Sequence, residues 1–266
     1  MSQVPGARSG ASGSLGSATG RRLGNRLLDE LGGEDRDTLA SSLVEVSMTV
    51  GELVQAEGRP VPQVLFPLSG VVSLMVELGD DVRGEAATVG REGMLGLSVF
   101  LGAPPTERAT VLVAGRALAL SAADFGRQVR VIDGPLERIL RRYAASMFTQ
   151  LARNAACNRV HSVRQRTARW LLSTADRTDG PSFVLTQDLL AHVLAVRRAS
   201  VNAAARALVQ EGCISYVRGV VTVEDPRRLQ ARACSCYEVL ARAGATGSPQ
   251  AALSDGRRLR DGSRSG

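Results

Sequence analysis

The chain has no lysine: all 33 of its basic residues are arginine, and with 26 acidic residues the formal charge is +7. An arginine-only composition follows from a GC-rich coding sequence as readily as from a nucleic-acid partner, although the planar guanidinium fork does suit phosphates and guanine edges. No apolar run approaches the roughly 20 residues of a membrane span, and the first 25 residues lack the apolar core of a secretory signal. A soluble, cytoplasmic protein with no membrane partner is therefore expected. The four cysteines, Cys157, Cys213, Cys234 and Cys236, are too few and too unevenly placed for a disulfide framework, so reduced thiols are expected. There are only two histidines, and no Ser/His/Asp, paired-carboxylate or phosphate-loop pattern, which argues against an enzyme.

What is present divides the chain into five stretches. Residues 1–24 and 244–266 are rich in Gly, Ser, Ala and Arg with no apolar period, the second carrying Arg257, Arg258 and Arg260; both are expected to be disordered tails. Residues 25–134 are expected to form a β sensor domain. Its lead-in, residues 25–46, reads as two short helices from Leu27, Leu28, Leu31, Leu39 and Leu43, broken at Gly32 and Gly33. Short Val- and Leu-rich runs at 64–66, 70–78, 109–114 and 117–120 point to a sandwich, barrel or jelly roll. In the longest, Val72, Leu74, Val76 and Leu78 alternate with Val71, Ser73, Met75 and Glu77, which predicts a strand with one strongly buried face.

Over residues 135–159 the period becomes helical. Leu136, Leu140, Tyr143, Met147, Gln150 or Leu151, and Asn154 form a narrow seam, read here as the interface of a homodimer; packing of the same stripe on its own β module is the alternative. A further helix is read over 160–175, then a turn, and residues 160–243 are expected to hold a DNA-binding domain.

There, Thr186 is placed to cap a helix Gln187–Leu194. Leu190, Ala191, Leu194, Ala195, Val196, Val201 and Ala204 fall where two helices crossing at a tight turn must touch, with Ala195 at the position where φ is often positive. The second helix, about 198–210, would be the recognition helix. At its start Arg197 and Arg198 have the chemistry to read guanine, Asn202 adenine, Ser200 a phosphate and Ala199 a thymine methyl. Gln187, Arg206 and Arg218 complete the candidate DNA-binding set. A solvated face with non-specific phosphate attraction is the alternative for the arginines. Ile214–Val217 and Val220–Val223 flank Arg218 and Gly219 and predict a wing hairpin with Arg218 at its tip.

The order β module, long helix, winged helix-turn-helix resembles the Crp/Fnr superfamily of bacterial transcription regulators over roughly residues 26–237. The stretches that carry it are FPLSGVVSLMVEL (66–78), VGREGMLGLSVFLG (89–102), LTQDLLAHVLAVRRASVNAAARAL (185–208) and ACSCY (233–237). The resemblance implies an α+β protein: a jelly roll like a cyclic-nucleotide-binding domain, a long dimerisation helix and a C-terminal winged helix-turn-helix. It also implies a pseudo-palindromic operator. The effector pocket would lie at Gly96, Leu97 and Ser98 together with Arg108, Ala109 and Thr110, Arg108 matching the phosphate-binding position. Leu97 stands where cyclic-nucleotide-binding members have the ribose-binding Glu and cannot accept a hydrogen bond, so an effector other than cyclic AMP, or none, is expected. In the recognition helix Ala199 and Ala203 occupy places that hold Glu and Arg in the cyclic-AMP-responsive members, so a different operator is expected.

Metal sensing finds little support in the same stretches. There is no cysteine before Cys157 to hold an N-terminal iron–sulfur cluster, and the histidines, His161 and His192, both lie in the second half, which leaves neither a haem ligand nor a cupin metal in the β domain. No metal ligand set or base is visible for Cys234 and Cys236, and no cofactor or metal is expected. The partners expected are double-stranded DNA, a second copy, an unknown small effector and, for an activator, RNA polymerase. A ligand-binding or protein-interaction module without sequence-specific DNA binding is the competing class.

Overall fold

A computed structural model describes residues 21–77, 79 and 83–244. Of the tails expected over 1–24 and 244–266, residues 1–20 and 245–266, with Arg257, Arg258 and Arg260, lie outside the described residues, as does Leu78. Residues 21–24, counted with the expected N-terminal tail, are among the described residues. The Leu23 amide donates to Asp29 Oδ1 at 2.7 Å and its side chain packs on the first core. Asn25 is buried because it ties three segments: its Nδ2 donates to the carbonyls of Pro67 and Gly93, and its Oδ1 accepts from the Leu28 amide.

The two short lead-in helices are a 3₁₀ turn (Leu28–Glu30) and α1 (Gly33–Ala40), whereas residues 44–46 open β1 (Val44–Met48) instead. There follow β2 (Leu53–Gln55), β3 (Gln63–Pro67), β4 (Val71–Glu77), β5 (Arg83–Val89), α2 (Leu97–Leu101), β6 (Arg108–Val113) and β7 (Gly115–Ser121). The strands pair antiparallel in two sheets, ordered β1-β7-β3 and β2-β6-β4-β5, with Phe66 opposite Leu118 and Leu74 opposite Ala109.

Side-chain alternation then assigns each face. Leu65, Val72, Leu74, Val111, Ala117 and Ala119 fill the space between the sheets. Val64, Phe66, Leu118 and Leu120 point the other way, onto Leu28, Leu39 and Phe125 of the flanking helices. On the second sheet the outer face is also covered: Val71, Leu112 and Val113 belong to the core of the C-terminal half. This corrects the expectation of one buried face on β4, where Val71, Val72, Ser73 and Leu74 are all buried. A strand sandwiched on both sides loses the polar alternation that marks a solvated face.

After α3 (Ala122–Val131) comes the long helix α4 (Pro135–Val160). Its expected dimer seam is turned inward, which corrects the sequence reading. Leu136, Leu140 and Tyr143 are buried in the chain's own first core beside Ile139, and Met147 packs partly against it. The Tyr143 hydroxyl donates to the Met94 carbonyl at 2.9 Å, and Asn154 Nδ2 to the Ala86 carbonyl at 2.9 Å. Leu151 alone of that set is exposed, at 43 %, next to Phe148 at 74 %.

The helix expected over 160–175 begins later. The chain leaves helical geometry at His161, and Ser162 starts α5 (Val163–Ala175) with a reciprocal capping box to Gln165. The rest is β8 (Ser182–Val184), α6 (Gln187–Leu194), α7 (Arg198–Gln210), β9 (Ile214–Val217), β10 (Val220–Val223), α8 (Pro226–Arg232) and α9 (Cys236–Gly244). The wing is a three-stranded sheet, β8-β10-β9, one strand more than the expected hairpin. Among the described residues no helix is long and apolar enough to cross a membrane.

Candidate nucleic-acid interface

Two helices can cross closely only where their facing side chains are small. Ala191 on α6 and Ala204 and Ala205 on α7 supply that contact, closed around by Leu190, Leu194, Val201 and Leu208. The Thr186 hydroxyl accepts from the Leu189 amide at 3.1 Å and fixes the start of α6. Ala195 takes φ 50° and ψ 50°, the left-handed geometry the short turn demands. Trp170, Leu171 and Phe183 form the floor beneath, and the Tyr216 hydroxyl donates to the Leu185 carbonyl at 2.6 Å, tying wing to motif. In the wing, Arg218 (φ 50°) and Gly219 (φ 79°) make a two-residue turn with both residues left-handed, the geometry that matches the twist of paired strands.

This scaffold brings most of the predicted DNA-binding residues together. Gln187, Arg198, Asn202, Arg206 and Arg218 line one open groove between α6, α7 and the wing, together with Asp188 and Tyr216. Arg198, Asn202 and Arg206 recur every four residues and so share one face of α7. Arg197 and Ala199 lie outside the groove lining, both at the start of the helix, where no side chain caps the first turn. Ser200 is half-buried. Arg198 pairs with Asp188 at 3.2 Å, but both are exposed and such a pair holds the arginine weakly. His192, on the outer face of α6, is spent on the Asp188 carbonyl, 2.7 Å from its Nδ1. Of Val217, Val220 and Val221 only Val221 is buried in the core, where Val223 joins it; Val217 is 63 % exposed. Cys213 is a buried apolar member of the core, as its position at the helix end implied.

The proposed effector residues are less concentrated. Gly96, at φ 82°, turns the chain into α2, and the Leu97 side chain packs against the first core with Val99 and Phe100. Leu97 is therefore a packing residue. Arg108 pairs with Met75 across the sheet, Ala109 is buried, and no hydrogen bond links Gly96, Leu97 or Ser98 to Arg108, Ala109 or Thr110 among the described residues. Ser98 Oγ is buried with no partner.

One grouping escaped the sequence reading, which saw no ligand partner for Cys234 and Cys236. Cys157 and His161, at the end of α4, meet Cys234 and Cys236, at the α8–α9 junction, with all four potential ligand atoms within 4.8 Å of one another. The signal was there in a Cys and a His four residues apart beside a Cys-x-Cys, but the two pairs are separated by 77 residues from Cys157 to Cys234.

The described chain is a β roll joined by a long helix to a winged helix-turn-helix. Residues 165–232 match the model of the Crp-like helix-turn-helix domain. A CRP-like cAMP-activated global transcriptional regulator of Mycobacterium tuberculosis is 28 % identical over 204 residues, 73 % of this chain and 90 % of the relative. The fold is shared with FixK2 from Bradyrhizobium japonicum (TM-score 0.59, 16 % identity, 73 % of this chain and 98 % of that one). It is also shared with a CRP-family transcriptional regulator from Thermus thermophilus (TM-score 0.58, 20 % identity, 71 % and 96 %). Residues 165–232 thus carry a Crp-like helix-turn-helix domain, and the chain is similar in sequence and in fold to CRP-type transcription regulators.

Proposed function

We propose that this chain is a transcription regulator that acts as a homodimer and reads a pseudo-palindromic operator, with the start of α7 in the major groove and the wing on the flanking backbone. The observation that carries the reading is the groove shared by Gln187, Arg198, Asn202, Arg206 and Arg218. Its side chains combine guanidinium forks for guanine or phosphate with amides suited to adenine. Arg197 and Ala199 flank the uncapped first turn of α7, whose free amides favour a phosphate.

The dimer would use the outer face of α4 in place of the inward seam. Ala145, Phe148, Leu151, Ala152 and Ala155 lie there at helical spacing, with Phe148 and Leu151 the most prominent, an apolar strip that a second copy would cover. The M. tuberculosis relative is described as cAMP-activated. In this chain Leu97 is committed to the core and offers no acceptor for a ribose hydroxyl, which supports an effector of other chemistry.

Selection of bound sites from a random DNA pool tests the reading directly. The expected product is a palindrome with half-sites about one helical turn apart. Arg197→Ala with Arg198→Ala should lower affinity for that site by roughly 10-fold or more, at about 1–3 kcal/mol per base-reading arginine, while sedimentation still reports a dimer. Unchanged affinity would remove α7 from recognition and leave a ligand-binding or interaction module.

A further inference from the structure

We propose that Cys157, His161, Cys234 and Cys236 form a closed four-ligand zinc site that fastens the end of α4 to the α8–α9 junction. The separations approach the edge lengths of a tetrahedron centred on that ion. Bonds of about 2.3 Å to sulfur and 2.0–2.1 Å to nitrogen place ligand atoms roughly 3.6–3.8 Å apart. Cys157 Sγ lies 3.6 Å from Cys234 Sγ, and Cys236 Sγ lies 3.8 Å from His161 Nδ1. The widest separation in the set, no more than 4.8 Å, needs a contraction of about 1 Å.

The donor set selects the ion. Three thiolates and an imidazole form a soft, four-coordinate ligand set with no place for water, the arrangement of structural zinc. A polynuclear iron–sulfur cluster would carry its cysteines on different irons and hold their sulfurs farther apart than these. A disulfide needs about 2.05 Å between sulfurs, and Cys157–Cys234 would strand the other two groups.

The surroundings compensate the charge. Three thiolates on a divalent ion leave one net negative charge; the thiol protons pass to solvent as the metal enters. Arg166 and Arg169, both more than nine-tenths buried, act electrostatically on Cys157, and the Nε of each is buried with no partner. Two buried guanidinium groups beside three uncharged thiols would be poorly compensated, whereas an anionic zinc–thiolate centre offsets one of their two charges.

The location gives the site its consequence. His161 is the point where the long helix ends and the DNA-binding half begins, and the metal would bind that joint to a helix whose Tyr237 hydroxyl already donates to Asp176 at 2.9 Å. The site is thus a structural clamp on the connection between the halves.

The full chain, purified without chelator, should hold about one zinc per chain by elemental analysis. Replacement by cobalt should give the visible bands and thiolate charge transfer of a tetrahedral thiolate site. Cys234→Ser should reduce metal retention by roughly 10-fold or more, His161→Cys should keep it, and Cys213→Ser should not change it. Zinc below about 0.1 per chain after reduction and incubation with zinc alone overturns the proposal. So does a cobalt spectrum without charge transfer, or a Cys157–Cys234 disulfide in place of metal. The wild-type measurements decide the matter even if a variant fails to fold.

Discussion

Glu85 on β5 is enclosed by groups from both halves of the chain. Ser73 Oγ donates to its carboxylate at 2.7 Å and Trp170 Nε1 at 3.1 Å; Arg169 and Arg177 stand near, and Glu92 and Asp176 line the same cavity. Burial outweighs these partners and pushes the carboxyl up from 4.5 to about 7. Between roughly pH 4.5 and 7 the folded protein therefore holds a proton that the unfolded chain has released. The resulting stabilisation is complete below the unfolded value and is lost as pH rises through the folded one, by an amount on the order of 3 kcal/mol. Glu85→Gln keeps the shape and the neutral state but removes the titration. Unfolding free energies from urea titrations at pH 5 and pH 8 should fall with pH in the wild type by about that amount more than in the variant. Parallel behaviour of the two proteins would mean that the carboxylate is solvated.

The long helix α4 divides its work between faces, and each face predicts a different phenotype. Leu140→Ala empties a fully buried site and should cost about 2–5 kcal/mol in stability. Phe148→Ala should leave the urea midpoint nearly unchanged but weaken self-association, read by sedimentation at several concentrations. A reversal of the two effects would restore the inward residues as the dimer seam. The sequence could not separate these faces because both are apolar at helical spacing: Leu136, Leu140 and Tyr143 on one, Phe148 and Leu151 on the other. Elsewhere local chemistry was sufficient. Thr186, the small residues at the crossing, the left-handed position at Ala195 and the Arg218–Gly219 turn set the bounds of α6, α7 and the β9–β10 hairpin from neighbouring residues alone, whereas the third wing strand, β8, was missed. Strand β5, with Arg83, Gly84 and Glu85 in its first half, carried no such mark; it is held by pairing with β4 and by cover from α4, both set by packing rather than by its own residues. The cysteine and histidine group was hidden for the same reason, since its halves meet only after α4 and α9 have packed.

At the scale of the molecule the two halves share a core and a polar latch. Val71, Leu112 and Val113 of the β roll pack into the cluster around Trp170 and Phe183, so apolar burial runs across the boundary. Around it, Arg177 pairs with Glu92 at 2.6 Å and donates to Thr88 Oγ1 at 2.5 Å, while Arg91 donates to the Thr178 carbonyl at 2.8 Å. Arg177 and Glu92 are only 13 % and 14 % exposed, so removing the arginine leaves a largely desolvated carboxylate unpaired, and the latch weakens by more than a surface pair would imply. Trp170 is the chain's single tryptophan and lies on this boundary, hydrogen-bonded to Glu85 from the other half. Its fluorescence therefore reports separation of the halves, while far-ultraviolet circular dichroism reports loss of their secondary structure. In the wild type the shared core should make both signals change together in urea. Arg177→Ala should advance the red shift of Trp170 to lower urea than the loss of secondary structure, because the boundary then opens before either half unfolds. Coincident transitions, both displaced to lower urea, would instead show that the apolar contact alone couples the halves and that Arg177 supports the whole fold.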